Sequence, residues 1–405
     1  MAENSEHLPL EGVKVLELSH LIAGPYCCQL LAEEGADVVK VEPPGGELSR
    51  LREPMRRNGE DTVSGHFGGL NRGKRSIALD LKTEAGREVF RKLLAETDVF
   101  VTNIRAGGLE RLGFHPEKLH ADYPRLIIAN ISGFGLKNAG EYADRAGLAM
   151  VGEALSGTTG MTRDHEGNPV WCGFALGDIA TGMTAHAGIL ASLRLQERYG
   201  KGTLLDLTLP ECLLPMVSVA LARIQIADAK LTAFAGSNNF HGVPYGVFKA
   251  SDGYVNLGVN TDGLWKKFAR GIGRPELADD PRYALYVERA KRQAEVHHLT
   301  EEFTGKHTRE ELTALLDKAD VPIAAIYSLE EVMALDYYKQ RGSFREVDDG
   351  LGGHLSLPID PCRFDTRTEI PALPRLGQHK DEILAQCGFD PAEQARLAQA
   401  GAFGG

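Results

Sequence analysis

Residues 13–42 limit what this chain can fold into more than any other stretch. Val13-Lys14-Val15-Leu16-Glu17-Leu18 reads as a strand, residues 19–25 as a turn containing glycine and proline, and 26–34 as a helix closed by Gly35. A second strand follows over 36–42. Two parallel strands need a crossover, and a helix of this length supplies one, so the unit is βαβ and the fold class is α/β. The alternation continues, with strands expected at 76–81, 98–103, 126–131 and 203–209, and helices at 84–96 and 183–195. Glycines recur just after strand ends, at Gly24, Gly107 and Gly133. Open α/β sheets bind ligands at that edge.

The chain has 405 residues, too many for one hydrophobic core, so two domains are expected. A large domain takes up 1–225. A smaller α+β domain occupies 235–345, announced by the loop at 236–244 and by a hairpin around Ser251-Asp252-Gly253. Residues 346–405 return to the large domain, with helices at 378–386 and 390–400 and a lightly tied or disordered tail over 401–405.

Several function classes drop out at this point. A net charge of −11 argues against a general nucleic-acid surface, while leaving room for a local basic pocket. The six cysteines contain no C-x-x-C and read as free thiols in a reducing compartment. The start is polar and lacks the pattern of a secretion signal, and apolar runs are broken by charge or glycine before reaching membrane-spanning length, so a cytoplasmic protein with no membrane partner is expected. No H-E-x-x-H or other metal spacing occurs, so no metal is expected. The G-x-S-x-G elbow and the Walker loop are missing too. So is the G-x-G-x-x-G that a nicotinamide-dependent oxidoreductase would carry after its first strand.

The chemistry has two candidate locations. Asp178 is a lone acid in the weakly polar run 172–182, at the start of an alanine- and leucine-rich helix. It reads either as a helix cap or first-turn acid, complementing the positive helix end, or as a nucleophilic carboxylate exposed between small residues. Residues 49–75 carry Arg50, Arg52, Arg56, Arg57, Arg72, Lys74 and Arg75, which read either as a phosphate-binding group or as a solvated face. His186, two helical turns beyond Asp178, is too far away to be its unaided acid/base partner and reads as a core or surface histidine.

Several ordered motifs carry a resemblance. They are residues 16–25 (LELSHLIAGP), 35–46 (GADVVKVEPPGG), 71–76 (NRGKRS), 131–135 (ISGFG), and Gly177-Asp178 with Gly182. Together they resemble the family III coenzyme A-transferases from about residue 11 to 395. The resemblance implies a Rossmann-like large domain built from both chain ends, a smaller inserted domain, and a dimer interlocked like chain links, formed by identical subunits or with a homologous chain. It implies no permanently bound cofactor, with coenzyme A as substrate and product. Asp178 takes the position of the catalytic aspartate, which forms an anhydride with the donor acyl group and then an aspartyl-CoA thioester.

The same resemblance implies that coenzyme A lies near His20, Ala23, Gly24 and Pro43, its phosphates met by some of Arg72, Lys74, Arg75 and Arg105. The fuller pattern looks closest to transferases that take CoA from succinyl-CoA to a dicarboxylate, with Arg145, Asn238, Asn239 and His241, and again His20, as polar candidates for the acid. An aromatic or carnitine-like monocarboxylate is the alternative acceptor, with Phe240 and Tyr245 as an apolar wall. Family racemases carry a His-Asp pair where this chain has Leu148-Ala149, and leucine moves no proton. A scaffolding subunit of a two-chain transferase is the remaining reading, and the presence of Asp178 weighs against it.

Overall fold

The computed structural model describes residues 7–59, 61–143, 145–164, 166–227, 242–362 and 371–404. Asn238, Asn239, Phe240 and His241 lie outside these. The described chain divides into two compact units. The first comprises Met1–Ser156, Gly173–Val217 and Lys339–Gly405, and the second Gly157–Cys172 and Ser218–Tyr338.

Six strands form the sheet of the first unit: β1 (Lys14–Leu18), β2 (Asp37–Glu42), β3 (Arg75–Ala78), β4 (Val99–Thr102), β5 (Ile127–Ser132) and β6 (Leu204–Thr208). They lie in the order β3-β2-β1-β4-β5-β6, and every pairing is parallel. This is the doubly wound order, with its switch point between β1 and β4. Side chains alternate between two cores. Leu16, Val39, Ile77, Phe100 and Ile128 face one, while Val15, Val38, Val99, Val101 and Ile127 face the other.

The helices of this unit include α1 (Ala23–Glu33), α2 (Glu84–Ala95), α3 (Ala106–Arg111), α4 (Ala149–Leu155) and α5 (Leu176–Tyr199). Cys27, Cys28 and Leu31 of α1 join Ala185, Ile189 and Leu193 of α5 over the second face. On the first face Val89 and Phe90 of α2 meet Ile383, Leu384 and Leu397 from the last helices, Lys380–Gln386 and Pro391–Gln399. The end of the chain is held firmly, against the expectation of a loose tail. Asp80 N–H donates to the Ala402 carbonyl at 2.7 Å, and Ala402 is fully buried.

The second unit has a three-stranded antiparallel sheet, in which Gly253–Gly258 lies between Tyr245–Ala250 and Ile323–Ala325. Trp265, Phe268, Val296, Leu312 and Leu316 fill its core. One sequence expectation needs correcting. The run Leu209–Ile226 is long and apolar enough to cross a membrane by length and composition, because Glu211 and Arg223 are its only charges.

Candidate active site

Because all six strands of the sheet are parallel, their carboxyl ends share one edge. The turns after β1, β2, β4 and β5 and the start of α5 gather there. Helix α5 buries Gly182, Ala185, Ile189 and Leu193. Asp178 continues that stripe by one turn, which carries it about 6 Å beyond Gly182 toward the ligand edge.

Close backbone contacts fix this position. A Cβ on Gly182 would stand 2.8 Å from the Ala23 carbonyl, and one on Gly177 would stand 3.0 Å from the Ala149 carbonyl. Gly133, after β5, is pressed against Gly147 so closely that its Cβ would lie 2.9 Å from the Gly147 Cα. Small residues therefore let α1, α4, α5 and the β5 turn meet through their main chains, which is stiffer than contact through side chains.

Among the described residues no hydrogen bond reaches the Asp178 carboxylate. Its first-turn neighbours are occupied: Leu176 N–H donates to the Phe174 carbonyl at 2.8 Å, Gly177 N–H to Glu153 at 3.0 Å, and Ile179 N–H to the Ala175 carbonyl at 3.1 Å. Burial, then the nearby Glu153 carboxylate, push the Asp178 pKa up to about 6. A cap would accept N–H groups and become more acidic. This carboxylate does neither, so Asp178 is an acid in the first turn of α5 without the hydrogen bonds of a cap.

His20 and Leu21 form the turn above β1. The His20 main chain exchanges hydrogen bonds with Asn103, which follows β4: N–H to Oδ1 at 2.9 Å and Nδ2 to O at 2.8 Å. Burial lowers the His20 pKa, with Glu47 opposing and Lys40 assisting. Leu21 has φ +64°, a left-handed conformation costly for a bulky residue.

Beneath this turn lies a charged cluster sealed from water. Lys40 Nζ bonds Glu17 at 2.6 Å and the Ser19 carbonyl at 3.2 Å, while Lys74 Nζ bonds the Pro25 carbonyl at 2.8 Å and pairs with Glu17 at 2.8 Å. Glu47 accepts from Leu21 N–H at 3.3 Å, and Arg50 grips Glu42 through two bonds of 2.6 and 2.8 Å. Burial raises the Glu17 pKa, but Lys40 and Lys74 overcome this and hold it at about 2. Burial works against both ammonium charges. At Lys40 the attraction of Glu17, Glu47 and Glu42 outweighs it and the pKa rises; at Lys74 burial prevails, with Lys40 repelling, and the pKa falls.

These partners revise the coenzyme-site residues. Lys74 is buried in the cluster, its ammonium held by Glu17, Asn71 and the Pro25 carbonyl. Arg72 is buried too, paired with Glu33 and donating to the Pro358 carbonyl at 2.6 Å. Arg75 begins β3, so it lies at the amino edge of the sheet, opposite the ligand edge, and pairs with Asp37 and Glu382. Gly24 is buried because helix α1 crosses Ser19: an added Cβ would lie 2.5 Å from the Ser19 Cβ, so its glycine serves packing. Ala23 is buried beside it. Pro43 is exposed in the turn after β2, closed by Gly46 N–H to the Pro43 carbonyl at 2.8 Å. Arg56 and Arg57 are bound to Asp349 and Glu53. Arg105, at the start of α3, and Arg52 are exposed, with no side-chain partner among the described residues.

Further along the edge is a cavity of about 470 Å³ lined by Phe134, Lys137, Tyr142, Asp206, Thr208 and Glu211, among others. Arg145 lies exposed over the Tyr142 ring at 4.7 Å. His186 is held by Glu34 at 2.9 Å, a tie between α5 and α1. Among the described residues no cluster of His, Cys, Asp or Glu is arranged to hold a metal ion.

The fold is an open, doubly wound parallel α/β sheet, and the half-buried Asp178 carboxylate stands at the edge formed by the carboxyl ends of its strands. The chain belongs to CoA-transferase family III, whose profile matches residues 10–380, and coenzyme A is substrate and product of its reaction. It is 33% identical to the succinyl-CoA–D-citramalate CoA-transferase of Chloroflexus aurantiacus, over 93% of each chain. It is 34% identical to the succinate–glutarate CoA-transferase of Agrobacterium fabrum, over 93% of this chain and 95% of that one. A CAIB/BAIF family protein from Brucella suis superimposes with a TM-score of 0.82 and 33% identity, covering 94% of this chain and all of the other.

Proposed function

We propose that the enzyme moves coenzyme A from succinyl-CoA to a dicarboxylic acid through covalent intermediates on Asp178. The observation that carries this is the unpaired, half-buried Asp178 carboxylate at the ligand edge. Its oxygen attacks the thioester carbonyl, and CoA thiolate leaves to give an aspartyl-acyl anhydride. The thiolate then attacks the aspartyl carbonyl and releases the donor acid. The acceptor carboxylate attacks the aspartyl-CoA thioester, and the thiolate finally takes the acceptor acyl group from the second anhydride. Two relatives named for succinyl or succinate and a second dicarboxylate support the substrate class.

Arg105 and Arg52 are the cations we assign to the coenzyme phosphates, and His20 and Arg145 the groups we assign to the acceptor. The assembly we propose is the interlocked dimer. An exchange assay with succinyl-, acetyl- and formyl-CoA against mono- and dicarboxylic acids tests the reading. Exchange with monocarboxylates alone overturns the substrate class.

Two predictions arise here. Arg105→Ala should weaken CoA binding about tenfold, as expected for one charge-assisted phosphate contact, and make it less salt-dependent. Arg75→Ala should leave it unchanged, and titration calorimetry at two salt concentrations distinguishes them. Secondly, nucleophilic attack needs ionised Asp178, so kcat should rise with pH through about 6 and level off above it. A profile already flat at pH ~4.5 would contradict this.

A further inference from the structure

Glu153 is the buried acid that the sequence did not single out. It lies on α4, is 1% exposed, and its Oε1 accepts the Gly177 N–H at 3.0 Å. A helix N-terminus offers free N–H groups, and an aspartate in its first turn ordinarily turns back to take one. Residue Ala175, at the cap position of α5, has no side chain able to do so. Glu153 reaches across from another helix and takes that role.

Its own helix is held without slack. A Cβ on Gly152 would lie 2.8 Å from the Leu209 Cβ, Ala149 touches Gly177, and Gly147 touches Gly133. The Glu153 carboxylate is therefore a fixed acceptor. Other titratable groups meet α5 from its neighbours: Tyr26 on α1, Glu34 just after it, which holds His186, and Cys212 with Glu211 beside it in the helix Leu209–Leu213. Tyr26 packs at Gly182, and the Cys212 thiol meets Thr181 and Thr184, so both act further along the helix than Asp178.

We propose that Glu153 is the positioning residue of the nucleophile: it occupies the helix-end donor beside Asp178 and sets a fixed negative charge near it, leaving the Asp178 carboxylate unspent and aimed at the thioester. This rests on Asp178 being the nucleophile. A carboxylate relieved of hydrogen bonds is a stronger base and nucleophile than one that accepts them. The raised pKa of Asp178, to which Glu153 contributes after burial, agrees with this.

The test compares Glu153→Gln and Glu153→Ala with wild type, measuring the pH–rate profile and the rate at which acyl-CoA labels Asp178. Glutamine keeps an oxygen on the Gly177 N–H and removes the charge. Its plateau should stay within about threefold of wild type while its acid limb moves to lower pH. Alanine frees the N–H for Asp178, so labelling and turnover should fall about tenfold or more, the effect of one hydrogen bond gained by the ground state. Superimposable profiles for all three proteins would overturn the proposal. Should the alanine protein fail to fold, an unmoved acid limb in the glutamine protein is enough to overturn it. Wild type that turns over without labelling Asp178 would refute the nucleophile assignment instead.

Discussion

Asp178→Asn should fold, bind acyl-CoA and exchange no coenzyme A. An amide cannot form the anhydride, and with the covalent route closed the rate should fall by about 10⁴-fold or more, the scale seen when an acting nucleophile is removed. Mass spectrometry of the quenched wild-type reaction should show an acyl or CoA adduct on the peptide containing Asp178, and the variant should show none. Residual turnover within about tenfold of wild type, in protein checked for deamidation, would remove Asp178 from the mechanism. The same variant carries a stability signature. A folded-state pKa raised from 3.8 to about 6 means that the native protein holds this proton more tightly than the unfolded chain. The group's contribution is thus full below pH about 4 and is lost as pH rises through about 6. Above that pH, Asn should be more stable than wild type by about 2 kcal/mol, allowing for partial exposure of the site. Below pH about 4 the two should converge.

Glu17→Gln should be the most damaging change that touches neither substrate. It leaves Lys40 and Lys74, both fully buried, without the carboxylate they share. Breaking a buried pair from one side costs about 3–5 kcal/mol because the remaining charge stays out of water. The melting midpoint should drop by on the order of 10 °C. The two lysines also hold the Ser19 and Pro25 carbonyls, so the turn carrying Leu21 in its left-handed conformation should loosen and CoA affinity should fall with it. Circular dichroism melts and CoA titration measure both, and a midpoint within ~2 °C of wild type would show that the cluster is dispensable.

The sheet was legible because its strands are short apolar runs separated by glycine turns and amphipathic helices, a local signal. Asp178 stood out as the single acid in a glycine-flanked run, and the family motifs assigned it a role. The arginines could not be sorted from sequence, because density cannot tell a cation facing a ligand from one facing a carboxylate brought in from afar. Arg75 meets Glu382 and Arg56 meets Asp349 only after the chain returns. Lys40 and Glu17 were hidden for a related reason. In Val39-Lys40-Val41 and Leu16-Glu17-Leu18 the alternation looks like a strand with one wet face, yet both residues are fully buried and satisfy each other. Glu153 gave no signal, since the role proposed for it rests on a hydrogen bond to a residue of another helix.

The return of the chain end to the first core bears on how the molecule is made. Ile383, Leu384 and Leu397 complete the face of a sheet whose first strand is Lys14–Leu18, and Ala402 closes on Asp80. On the ribosome, β1 to β4 emerge early and must wait, one face only partly covered, until residues 380–402 have been made. Contacts of such long sequence separation form slowly, and an uncovered apolar sheet is prone to associate meanwhile. Ribosome-bound chains stalled before residue 380 should therefore remain open to protease across the first sheet, and become resistant once residues 380–402 are released.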